Sequence, residues 1–139
     1  MVNRIKWLFD VNVGQPFFFG TIFGYYAKNL MTMTISDLKT LTAGERFVLV
    51  DFYAHWCGPC KAMHSVLDSV QQQLSSLVEI VRVDIDRPEN SVLADHFRIN
   101  AVPTLVLFRE GRQLWRRSGV MSVEELVGEL RHQERLEFY

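Results

Sequence analysis

The chain has 139 residues, 48% apolar and 22% charged, an ordinary globular balance at a length that fits one domain with its own core. Fifteen Lys and Arg against sixteen Asp and Glu leave a formal net charge of −1, which argues against nucleic acid or an anionic membrane as the main partner. The two cysteines are separated by only two residues, so they are not the dispersed framework of a disulfide-stapled secreted domain.

Residues 1–30 differ from the rest and read as an N-terminal extension to a domain over 31–139. A short basic start, Asn3-Arg4-Ile5-Lys6, precedes an aromatic run from Phe17 to Ala27. That run is roughly half the twenty or so apolar residues a spanning helix needs. Asp10, Asn12, Gln15 and Pro16 interrupt the continuous apolar centre expected of a secretory signal, and Tyr25 sits badly before a cut after Ala27. Three readings stay open: upstream sequence ahead of a true start at Met31 or Met33 (or a disordered arm), a degenerate signal or anchor, and a structured arm that binds a partner.

From Met31 the pattern becomes regular. Met31-Thr32-Met33-Thr34-Ile35 alternates apolar and polar residues as a short half-buried strand does, and Ser36 is a plausible cap for a short helix ending near Gly44. Phe47 to Ala54 is apolar on both faces, which suits a central strand covered on both sides. After the cysteines, Cys60, Met63, Val66, Leu67, Val70 and Leu74 recur at helical spacing, with Lys61, His64, Asp68, Gln71 and Gln72 on the other face. Val78 to Ile85 reads as the next strand, completing a βαβ unit with parallel strands.

Pro88 and Asn90 open a further helix through Val92, Leu93, His96 and Phe97. A loop, Asn100-Ala101-Val102-Pro103, leads into a strand over Thr104 to Phe108. Glu110-Gly111 marks an antiparallel hairpin with Gln113 to Arg116, and Gly119 ends it. Ser122 and Glu125 have capping-box spacing for a last helix whose Leu126, Val127 and Leu130 face inward; the charged tail beyond is expected to be solvated. The sum is an α/β fold, a mixed sheet with helices on both faces.

The chemistry centres on Trp56-Cys57-Gly58-Pro59-Cys60-Lys61, where a strand turns into a helix. Disulfide exchange requires an accessible thiolate, and a cysteine at a helix start gains stabilisation of its anion from free N–H groups and the helix dipole. Pro59 loses nothing in the first turn, and Cys60 falls one turn deeper on the apolar side. Asp51 is the one charge in its strand; buried alone it would take up a proton near neutrality, while pairing with Arg82 would make it an ordering contact. Both can hold. Cys57, Cys60, His64 and His55 could be imagined as metal ligands, but structural zinc sites gather two Cys pairs and no second pair exists, so no metal is expected. His64 and His55 then read as helix-surface and loop residues. Trp56 reads as an exposed platform, Trp115 as hairpin packing, and Val102-Pro103, taken alone, as a trans proline starting a strand.

Val50-Asp51-Phe52-Tyr53-Ala54-His55-Trp56-Cys57-Gly58-Pro59-Cys60-Lys61, with Val102-Pro103-Thr104 and Gly119 after it, closely resembles the thioredoxin family in order and spacing from Phe47 to Leu130. The resemblance implies the thioredoxin fold and a dithiol–disulfide oxidoreductase that reduces protein disulfides, with no cofactor beyond its own redox-active pair. Cys57 would attack and Cys60 resolve, beside the buried acid Asp51. Arg82 stands where the family often has a lysine near that acid, and it, Gly58, Pro59 and Lys61 would tune the site. Pro103 would be a cis-proline facing the disulfide, and Val102 would offer its backbone to an extended substrate. Trp56, Gly58, Pro59, Gly119 and Val120 would line a shallow groove.

The partners implied are disulfide-containing proteins and a thioredoxin reductase as electron donor, in the cytoplasm; a periplasmic or membrane-anchored setting follows if residues 1–30 are a signal or anchor. Tyr53 departs from a common tryptophan, and Ser65 from a helix-kinking proline. An exported or tethered relative with few substrates, and a non-catalytic clamp on the same fold, are the competing readings. A clamp needs neither cysteine nor Asp51.

Overall fold

The computed structural model describes residues 33–139; the 1–30 extension, and Met31 and Thr32 of the expected first strand, lie outside the described residues. Helix α1 spans Ile35–Thr42 and strand β1 Phe47–Tyr53. Helix α2 is Gly58–Gln73, β2 is Val78–Asp84, and a 3-10 turn at Pro88–Asn90 leads into α3, Ser91–His96. The hairpin is β3, Thr104–Arg109, and β4, Arg112–Ser118, followed by α4, Val123–Phe138.

The strands stand in the order β2-β1-β3-β4, with β1 parallel to β2 and antiparallel to β3. The mixed sheet follows from the connections: α2 carries the chain back for a parallel strand, whereas a two-residue turn leaves β4 antiparallel to β3. Glu110 and Gly111 both take positive φ, 51° and 74°, the backbone hand that a two-residue hairpin turn requires. Their N–H groups donate to Gly44 and Thr42 carbonyls, both at 2.9 Å, so the turn also closes the end of α1.

The two-residue period of β1 divides the core. Phe47 and Leu49 join Leu105 and Leu107 under Met63, Leu67 and Val70 of α2 and Leu126 and Leu130 of α4. Val48, Val50 and Phe52 point the other way, against Leu38 of α1 and Leu93 of α3. Asp51 has the parity of Phe47 and Leu49, so its carboxyl lies on the α2 side of the sheet. Trp115 packs on the α2 side from β4.

Three expectations are corrected. Met33 and Thr34 are not strand, and Ile35 already begins α1. The cap is Thr34 instead of Ser36, because Asp37 three residues on completes a reciprocal box: Asp37 N–H donates to Thr34 Oγ1 at 3.1 Å and Thr34 N–H to Asp37 Oδ2 at 2.9 Å. The charged tail is helical to Phe138 and docked, since Glu137 reaches Arg109 at 3.0 Å and Arg112 at 2.7 Å. Arg109 also lies over the Phe138 ring, 4.3 Å from its centroid.

Candidate active site

Tyr53 ends β1 and a short turn delivers Cys57 to the N-cap of α2 with extended backbone, φ −86° and ψ 111°. Cap geometry turns the side chain back over the first turn, so Cys57 Sγ accepts the Cys60 N–H at 3.1 Å. Pro59 occupies the first turn, where a missing N–H is harmless. Cys57 and Cys60 are joined as a disulfide with Cα atoms 5.2 Å apart. Both are buried, Cys57 at 4% exposure and Cys60 at 1%, so the sulfur expected to be accessible shows only a sliver of itself.

What surrounds that sliver is open. Trp56 is 73% exposed, and Gly58, Pro59, Lys61, Gly119 and Val120 are exposed too. Trp56 Nε1–H donates to Asp86 Oδ1 at 3.1 Å, which fixes the exposed indole next to the cysteine turn. From the loop before β3, beside the end of β1, the Val102 carbonyl oxygen comes within 3.6 Å of Cys57 Sγ. The Val102–Pro103 peptide is cis, so the trans reading taken from Pro103 alone is wrong and the one implied by the resemblance is right. Gly119, at φ 94°, donates its N–H to the Pro103 carbonyl at 2.9 Å, and Thr104 Oγ1 donates to Ala101 O at 2.7 Å. Loop and hairpin end are thereby tied together next to the cysteines.

On the α2 face of β1, Asp51 is completely buried. Removal from water pushes its carboxyl up to about 7, against a smaller opposing pull from the Arg82 guanidinium. Arg82 is opposite Asp51 in the β1–β2 register, yet its side chain does not bind the acid. It donates to Asp68 Oδ1 at 2.7 Å and to the His64 carbonyl at 3.1 Å, because α2 offers it solvated partners at the sheet edge.

The group that does reach Asp51 is His64, whose Nε2 stands 3.2 Å from Asp51 Oδ2. The contact is close but not aligned, and neither Asp51 oxygen has a hydrogen-bond partner among the described residues. The polar pattern puts His64 on the outer face of the helix, whereas its spacing of four from Cys60, the same that suggests it as a metal ligand, puts both on one side of α2, and that is what the structure shows. His55 likewise is no plain loop residue: its Nε2 is 2.8 Å from Asp84 Oδ2. Among the described residues no three His, Cys, Asp or Glu side chains gather as metal ligands would, so the imagined set of Cys57, Cys60, His64 and His55 is not assembled. No described helix is long and apolar enough to cross a membrane.

The thioredoxin family model matches residues 31–132. The chain belongs to the thioredoxin family. A thioredoxin-like protein of Synechocystis is 37% identical over 92 residues, covering 66% of this chain and 86% of the relative. The chloroplastic thioredoxin Y2 of Arabidopsis thaliana is 37% identical over 102 residues, 73% of this chain but 58% of that longer protein. The crystal structure of Fasciola hepatica thioredoxin superposes with a TM-score of 0.64 at 30% identity, over 74% of this chain and 95% of that one. As a thioredoxin-family protein carrying its dithiol as Trp56-Cys57-Gly58-Pro59-Cys60, the chain is a thiol–disulfide oxidoreductase that reduces protein disulfides.

Proposed function

We propose that Cys57 is the attacking thiolate and Cys60 the resolving thiol, with Asp51 as the acid and base between them. The observation that carries this is the Cys60 N–H bond to Cys57 Sγ at the start of α2, a donor and a helix dipole aimed at the atom that must hold negative charge. Cys57 attacks one sulfur of a substrate disulfide; a Cys57–sulfur bond forms, the substrate bond breaks, and its electron pair leaves on the other substrate sulfur. The Cys60 thiol gives its proton to the Asp51 carboxylate and attacks Cys57 Sγ. The second substrate thiolate leaves, and the Cys57–Cys60 disulfide described above remains.

Trp56, Gly58, Pro59, Gly119 and Val120 form the groove for the substrate segment, whose backbone pairs with Val102 beside Pro103. Arg82 lowers the proton affinity of Asp51, and Lys61 adds positive charge next to the first turn. The catalytic unit is residues 31–139, with 1–30 an extension outside it. The electron donor is a thioredoxin reductase and the setting a reducing compartment, the cytoplasm. The Gly58-Pro59 pair supports that direction of electron flow, being the dipeptide of the reducing relatives.

Two measurements test this. Cys60→Ser should trap substrate proteins as stable mixed disulfides while Cys57→Ser traps none; the reverse pattern overturns the assignment. The reduction potential should be about −270 mV, the value known for thioredoxin; about −120 mV would make the protein an oxidant.

A further inference from the structure

We propose that His64 is a proton-relay residue, carrying the proton between the buried carboxyl of Asp51 and solvent while Cys60 resolves the mixed disulfide. The inference rests on the role of Asp51 above and asks where that proton goes next. Asp51 is fully buried and has no hydrogen-bond partner among the described residues, so it cannot trade protons with water directly. His64 Nε2 is 3.2 Å from Asp51 Oδ2, and about a quarter of its side chain is exposed, so the imidazole spans from the carboxyl to the surface. A modest turn about its ring torsion, which is soft, aligns nitrogen and oxygen for transfer.

The step balances simply. Cys60 loses its proton to Asp51, Asp51 passes it to His64 Nε2, and the imidazolium releases its Nδ1 proton to water; Asp51 ends as it began, and His64 ends as the Nε2–H tautomer, which the reverse transfer restores when the disulfide is next reduced. Sulfur chemistry is unchanged, with one Cys57–Cys60 bond formed and one Cys57–substrate bond broken.

The neighbours favour passage over storage. Arg82 of β2 donates to the His64 carbonyl, Asp68 lies one turn on along α2, the Tyr53 ring of β1 stands edge-on at 4.7 Å between ring centroids, and His55 meets Tyr53 edge-on at 5.6 Å. Burial chiefly, then Arg82, lowers the proton affinity of the imidazole, and the pull of Asp68 in the other direction is smaller. A group that binds the proton less tightly than Asp51 does not trap it.

The experiment follows release of glutathione from its mixed disulfide with Cys57 in the full chain, across neutral pH. His64→Ala should slow release about ten-fold near neutrality, and added imidazole should restore most of it. His64→Gln, which fills the same space without relaying, should be as slow and not rescued. Full speed in either variant, or a loss in His64→Ala that imidazole does not restore, overturns the relay. Asp51→Asn serves as the reference: if it releases at the normal rate, the acid assignment falls and the relay with it. If it is slow while the His64 variants are fast, the relay alone falls.

Discussion

Asp51 is held where ionisation is costly, and that cost has a sign. Its folded-state pKa of about 7 lies above the ordinary 3.8, so the folded chain binds the proton more tightly than the unfolded chain does. The stability this confers is complete below pH 3.8, declines as pH rises, and is gone once pH passes about 7. Asp51→Asn keeps a neutral group there at every pH. The variant should therefore unfold like the parent in acid and become more stable above neutrality, by on the order of 4 kcal/mol. Denaturant midpoints on both sides of neutrality measure the difference; a gap that does not widen with pH would refute the assignment. That Asp51 is a lone buried acid was legible from one charge in an eight-residue apolar run. That its contact is His64 was not, because i,i+4 spacing from Cys60 competes with the polar character that suggests an outer face.

At the scale of elements, the capping boxes illustrate what local sequence controls. Ser122 Oγ accepts the Glu125 N–H at 3.1 Å, and Glu125 Oε2 accepts the Ser122 N–H at 2.8 Å, as the spacing predicts. Ser122→Ala should cost about 1 kcal/mol in chemical unfolding, with thiol–disulfide exchange unchanged. The box at Thr34 and Asp37 has the same logic, yet an alternating Met-Thr-Met-Thr stretch masks it. Met33 is buried and its N–H is taken by Asn90 Oδ1 at 2.8 Å, so it enters the core without any strand to belong to. Alternation over so few residues cannot tell a strand from an approach to a helix.

Across the whole molecule, the two core faces meet through β1 and β3, and α2 and α4 share one of them. Leu130 is fully buried in that face although it lies near the chain end, whereas Leu136 is largely exposed. Leu130→Ala should destabilise by about 2–5 kcal/mol, and Leu136→Ala by less than about 0.5 kcal/mol. Thermal unfolding of the two variants side by side measures this; equal losses would mean that the tail packs differently. Glu137 anchors the last turn only because the hairpin presents Arg109 and Arg112 to it, across 28 and 25 residues of sequence.

Local pattern alone determined the elements from Phe47 onward, the mixed α/β sheet and the dithiol at a strand-to-helix junction, because periodicity, turn residues and cysteine spacing are properties of adjacent residues. Tertiary structure decided the rest: the Val102 carbonyl against Cys57, the cis form of the Val102–Pro103 peptide, the docked tail and the choice of His64 over Arg82 as the neighbour of Asp51. Each depends on which atoms approach across the sheet or from a helix laid upon it. The register that sets Arg82 opposite Asp51 names the closest residue on the next strand, but α2 draws that guanidinium outward and leaves the acid to a histidine.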